Sequence, residues 1–306
     1  MSNLSNNAAS AVMKQRNMQQ VSTMDKIVKI AVQVLLYLFL GIMALIVLFP
    51  FYFMLISSVK TPTEYSRAVP TLFPEVFDWA NYVEVFRNED LQLATLFGNT
   101  VFVGIVSTLL SLVITVLSAF AFARLEFKGK NILFAAMLGT MMIPGELFTI
   151  TNYSTVYYLG WMNTYTALIV PFLVSIFYIY LLRQNFMQIP NELYLAAKVD
   201  GTSDLKYLWK VMIPLALPTL ISITILKMMG AWNSYMWPNL VTKVTNEKNL
   251  QLITNGLRNA FTDAAGVTDI PAQMAAVALV SLPLFLVFIF LRKYIMKGVS
   301  RSGIKG

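Results

Sequence analysis

Ile189-Pro190-Asn191-Glu192-Leu193-Tyr194-Leu195-Ala196-Ala197-Lys198-Val199-Asp200-Gly201-Thr202-Ser203 interrupts an otherwise apolar chain with polar and charged side chains. Leu193, Ala196 and Ala197 recur at helical spacing before Asp200-Gly201, and Leu205, Leu208, Trp209 and Met212 repeat it afterwards, so the stretch reads as helix, turn, helix. Gly201 supplies a residue that takes positive φ between the two, and Asp204 stands where a carboxylate favours a helix N-terminus. Pro214 and Pro218 close the pattern.

On both sides the chain is too apolar for a water-soluble domain: 57% of its 306 residues are hydrophobic, 12% are charged, and the mean hydropathy is +0.65. Runs of about 20 apolar residues are long enough to cross a bilayer as helices, and about six are present. They lack the alternation of membrane strands. The fold expected is therefore an all-α membrane protein with six transmembrane helices and a helix-turn-helix loop between the fourth and fifth. Neither Cys nor His occurs, which removes thiolate nucleophiles, disulfides, histidine proton relays and the commonest zinc ligands.

Residues 1–25, rich in Asn, Ser, Gln and Met, are expected to be a disordered tail. Residues 26–60 hold the first span, whose apolar run is too long for a cleaved signal peptide, and residues 61–98 form an acidic external loop. Residues 99–295 make the core, with spans at 101–123, 132–158 (broken at Pro144-Gly145), 165–182, 215–237 and 274–291, and with the loop at 185–213; residues 296–306 are a basic tail. Lys and Arg concentrate in cytoplasmic loops. Sixteen fall on the side of the termini and the 185–213 loop, six on the other, and Lys227 lies inside a span. Both termini are thus expected in the cytoplasm, and the net charge of +8 belongs to a membrane face rather than to nucleic-acid binding. Tyr157, Tyr158, Trp161 and Tyr165, and Trp232, Tyr235 and Trp237, are expected in an outer aromatic belt.

Ala196-Ala197, Asp200-Gly201 and Ile213-Pro214 together resemble the EAA loop of permease subunits of ATP-binding-cassette importers. Asn99, Ala121-Phe122-Ala123-Arg124-Leu125 with Phe127-Lys128-Gly129, Met142-Ile143-Pro144-Gly145, Trp232-Asn233, and the tail Lys297-Gly298 with Gly303-Ile304-Lys305-Gly306 are similar to the carbohydrate, MalG-like branch, over roughly residues 27 to 306. The loop's name-giving Glu is replaced by Leu195. The resemblance implies that Glu192, Leu193, Leu195, Ala196, Ala197, Asp200, Gly201, Leu205, Leu208 and Trp209 couple to a separate cytoplasmic ABC ATPase that binds ATP and Mg. It also implies a second homologous permease and an extracytoplasmic sugar-binding protein. The chain has no Gly-x-x-x-x-Gly-Lys-Ser/Thr, so it carries no P-loop. On pattern alone, an interfacial pair of amphipathic helices accounts for the same stretch.

Four residues are candidates for the substrate pathway. Glu146 and Lys227 are ionisable groups at or near membrane depth, where the plainer readings are a carboxylate at the interface and a snorkelling amine. Trp232 and Asn233 offer an aromatic face and an amide suited to a sugar, or else a belt residue and a helix end. In the external segment Leu250, Ile253 and Leu257 share a helical face beside Arg258, for contact with the membrane or with the sugar-loaded binding protein. An importer subunit for neutral sugar is the leading function, with a polyol or phosphorylated cargo as a variant. An ion-coupled carrier would need intramembrane carboxylates and finds only Glu146, and a membrane enzyme lacks an acid–base or metal constellation.

Overall fold

The computed structural model describes residues 2–89, 91–243, 249–261 and 268–300. Its elements are α1 (Ser2–Ser57), α2 (Pro62–Tyr65), α3 (Ala80–Arg87), α4 (Leu93–Arg124), α5 (Lys130–Thr140), α6 (Thr149–Tyr158), α7 (Tyr165–Ile169), α8 (Ile176–Met187), α9 (Asn191–Val199) and α10 (Asp204–Tyr207). A π-turn over Leu208–Met212 leads into α11 (Ile213–Leu215), followed by α12 (Leu217–Trp232), α13 (Met236–Val241), α14 (Ile253–Asn259) and α15 (Ile270–Ser300).

Three helices are long and apolar enough to span a bilayer: 28–57 within α1, α4, and 270–290 within α15. Three more spans come from bent pairs, α5 with the segment 145–158 (88°), 165–172 with α8 (46°), and 204–215 with α12 (81°), giving six when each pair counts once; in the last pair α12 is the span, and the sharp bend sets 204–215 apart from it. Each break follows proline chemistry: Pro144-Gly145, Pro171, and Pro214 with Pro218. The fifth span is shorter than expected, because α12 stops at Trp232 and Met236–Val241 forms its own helix. The residue 1–25 stretch expected as a tail is drawn as the start of α1, which runs from Ser2. No Gly or Pro occurs before Gly41, and Ala, Met, Gln, Lys and Arg are good helix formers.

At the centre stands α4, packed most extensively on α8 and α12. The middle of its buried face is rich in small or hydroxyl residues, Thr100, Gly104, Ser107, Thr108, Ser111, Thr115 and Ala119, which let neighbouring backbones approach in lipid. Apolar clusters gather at its two ends. One joins Leu96 to Trp232, Ile253, Leu257 and the first turns of α15; the other joins Ala119 and Phe120 to Leu182, Phe186, Tyr207, Leu208 and Met212.

Candidate functional site

The C-terminal end of α4 is tied to the entrance of the 185–213 loop by Arg124, which is buried and donates through one Nη to the carbonyls of Phe186 (2.9 Å) and Ile189 (2.6 Å). Phe186 stands in the last turn of α8 and Ile189 two residues past its end, so the guanidinium sits at the helix C-terminus, where a cation is favoured. Arg183 makes the reciprocal tie: its Nε donates to the Phe122 carbonyl (3.1 Å) and its guanidinium lies 4.0 Å from the centre of the Phe134 ring.

From this base α9, a turn and α10 project as a knob. Gly201 has φ +71°, the Thr202 N–H donates to the Ala197 carbonyl (2.8 Å), and the Gly201 N–H donates to that of Lys198 (3.0 Å), which together form a Schellman ending. Ser203 then caps α10 by accepting from the Lys206 N–H. The two helices are locked by one carboxylate. Asp204 Oδ1 accepts from Tyr194 Oη (2.7 Å) and from Lys198 Nζ (2.7 Å), while the Tyr194 and Tyr207 rings meet at 5.2 Å. The hydrogen bond from Lys198, then that from Tyr194, holds the Asp204 carboxyl below its ordinary range, and the same bond raises Lys198. Tyr194 is raised chiefly by desolvation and then by its bond to Asp204.

The outer surface of the knob carries large apolar side chains among charged ones. Leu193, Leu195, Val199, Leu205 and Trp209 are exposed, with Val199 at 88% and Trp209 at 68%, and Glu192, Ala196, Asp200 and Gly201 lie exposed among them. Ala197 is half-buried. Leu208 departs from expectation: it is fully buried among Tyr207, Phe186 and Met212, so it anchors the knob to its own protein and offers nothing to a partner. The substitution at Leu195 stands on the exposed face, clear of the spans.

The other candidates separate. Glu146 is exposed in a 3-10 turn over Gly145–Phe148. Lys227 reaches back to the carbonyl of Phe172 (2.6 Å), at the break of the fourth span. Trp232 and Trp237 are buried, not in a belt: Trp232 packs edge-on against Phe97 at 5.4 Å, and Trp237 donates to the Ala167 carbonyl (2.9 Å). Asn233 is exposed at the end of α12. Leu250, Ile253 and Leu257 are likewise buried, the last two packed against Leu96 of α4 and the first turns of α15, which corrects their expected role as outward contacts; only Arg258 of that set is exposed, beside Tyr235. Asn233 and Arg258 nonetheless line one cavity of about 340 Å³, with Trp232, Thr254 and Gln273.

Two polar anchors escaped the periodicity reading. Asn99 donates to the carbonyls of Asn249 (2.8 Å) and Gln251 (3.0 Å) while accepting from Tyr165 Oη (2.7 Å), and Asn255 caps Leu252 N–H from a fully buried position. An isolated amide opening an apolar run was the only available signal. Among the described residues no group of three or more Asp, Glu, Cys or His is placed to hold a metal.

The family model for the binding-protein-dependent transport system inner membrane component matches residues 111–301. The arabinooligosaccharides transport system permease protein AraQ of Halalkalibacterium halodurans is 31% identical over 86% of this chain and 93% of its own. The sn-glycerol-3-phosphate transport system permease protein UgpE of Pectobacterium atrosepticum is 28% identical over 87% of this chain and 94% of its own. Among solved structures, a chain of a bacterial ABC transporter involved in import of the acidic polysaccharide alginate shares the fold, with a TM-score of 0.75 at 24% identity, covering 85% of this chain and 95% of that one. The chain is a multi-pass membrane transport permease and belongs to the family of binding-protein-dependent transport system inner membrane components.

Proposed function

We propose that this chain is one of two homologous permease subunits of an ATP-driven carbohydrate importer, with both termini and the knob at residues 191–209 in the cytoplasm. The observation that carries the reading is an exposed apolar cap, Leu195, Val199, Leu205 and Trp209, mounted on a base that is itself fully packed. Large apolar side chains left in water on a rigid support mark a docking site, and the partner supplied by family membership is an ABC ATPase, which binds ATP and Mg. Closure of the ATPases would push the knob as one body, because Asp204 locks α9 to α10 and Arg124 fastens the loop's entrance to α4. Movement then reaches α8 and α12, the helices packed on α4. ATP shifts the inward and outward states only as far as it binds one better than the other. At the opposite end, Arg258 and Asn233 face the side on which a sugar-loaded binding protein would deliver cargo. Saccharide as cargo follows the named relatives, AraQ above all.

The test is the assembled complex carrying Gly201→Val. A β-branched residue at φ +71° is strained, and it widens the turn between the docked helices. The complex should still assemble, with ATP hydrolysis no longer responding to sugar-loaded binding protein; normal stimulation would mean that the knob is not the coupling element. Phosphatase fusions after Gly129 and Lys206 should be inactive and a fusion after Arg87 active, and the reverse at Lys206 would place the knob on the wrong side for any ATPase.

A further inference from the structure

Between α4, the broken fourth span and α12 lies a cavity of about 250 Å³, lined by Val103, Ser107, Phe172, Tyr178, Lys227 and Trp237 among others. Its one charged group is Lys227, and no lining residue is acidic. Among the described residues no carboxylate stands within 4 Å of the amine, whose single hydrogen bond goes to the Phe172 carbonyl. An ammonium group has three donors, and a cation at membrane depth without a counter-ion is costly to keep. The helices that enclose the cavity, α4, α8 and α12, also contribute to the buried cluster under the knob.

We propose that Lys227 is an anion subsite for cargo: it receives a carboxylate or phosphate group carried by the transported saccharide, with Ser107 and Tyr178 as hydroxyl neighbours. The volume is close to the lower end of ligand pockets, about 300 Å³, and suits one terminal sugar unit rather than a chain. The cargo class is thereby narrowed from neutral sugar to an acidic one, such as a uronate-ended or phosphorylated saccharide. This rests on the carbohydrate-importer reading.

The experiment places the assembled importer in phosphatidylcholine nanodiscs and compares digalacturonate with galactobiose. It follows binding of each probe, and modification of the Lys227 amine by an amine-reactive reagent, read by mass spectrometry. Digalacturonate should slow modification on the order of tenfold, the size of one charge-assisted hydrogen bond, and galactobiose should not. The preference for the acidic probe should collapse by a similar factor in Lys227→Gln and survive in Lys227→Arg. Equal binding of both probes to the wild type, or a preference unchanged in Lys227→Gln, overturns the proposal while leaving the carbohydrate reading intact. Protection that appears on adding phosphatidylglycerol with no saccharide present reassigns the subsite to a lipid headgroup. Protection that vanishes only when an acidic residue of the second permease is removed reassigns the counter-ion to that subunit. Binding of neither probe to the wild type sinks this proposal and the carbohydrate reading together.

Discussion

Helices α9 and α14 begin from the same kind of sequence, a short polar segment with apolar residues at helical spacing, and finish in opposite conditions. In α14 the periodic face, Ile253 and Leu257, is covered by Leu96, Trp232 and α15; in α9 and α10 the apolar residues Leu195, Val199 and Leu205 stay more than half exposed. Periodicity identifies a face and says nothing of what covers it. A covered face stabilises the chain that owns it, whereas a bare face on a firm support is available to another molecule.

Substitutions can break this contrast or sharpen it. The largest effect is expected at Ile253, which has no exposed surface: Ile253→Ala should cost about 2–5 kcal/mol, seen as early thermal unfolding of the purified chain in detergent, while Leu195→Ala leaves the melt unchanged. Equal melts would erase the distinction. Next come the two glycines. At Gly256 a Cβ would stand 2.4 Å from Leu96 Cδ1, so Gly256→Ala should destabilise by about 1–3 kcal/mol through overpacking. At Gly201 nothing lies within 4 Å and only the positive φ resists, so Gly201→Ala should cost about 1 kcal/mol and leave α14 untouched in hydrogen exchange. Tyr194→Phe removes one hydrogen bond to Asp204 and should loosen the knob by about 1 kcal/mol or less, read as faster exchange confined to residues 191–207.

The lock has a defined pH window. Asp204 titrates below its ordinary value when folded, so its contribution is complete above the ordinary carboxylate range and is lost as pH falls through the depressed value. Lys198 is raised, so its contribution is complete below the ordinary lysine range and fades only as pH rises through the elevated value. Exchange at the knob should therefore show a plateau of protection through neutral pH, beyond the intrinsic pH trend, with losses on both flanks; a loss near pH 7 would contradict the assignment. The smallest effect belongs to Leu195→Glu. An exposed position on the docking face should change stability by no more than about 0.5 kcal/mol, and any loss should appear only in ATPase coupling.

Much of this architecture is legible in the amino-acid sequence, for identifiable reasons. The spans show in apolar runs because lipid admits few backbone solutions, and two of the three breaks show at Pro144-Gly145 and at Pro214 with Pro218 because proline removes a donor, whereas the bend beside Pro171 is not legible inside the fourth span. Gly201 is legible because few residues accept its φ. Burial of Trp232, Trp237 and Leu208 is not legible, since an aromatic or leucine near a span end has the same local signature in a belt, a docking face or a core. Nor is the Tyr194–Asp204–Lys198 lock, whose members stand up to ten residues apart across a turn whose closure depends on three dimensions.

The long-range ties made by Asn99, Arg124, Arg183 and Trp237 all include a main-chain oxygen as acceptor: those of Asn249 and Gln251, of Phe186 and Ile189, of Phe122, and of Ala167. A carbonyl is supplied by whatever residue occupies the position. Over generations the receiving sites are free to drift in side chain without loosening the assembly, and inherited fragility is concentrated on the donors alone.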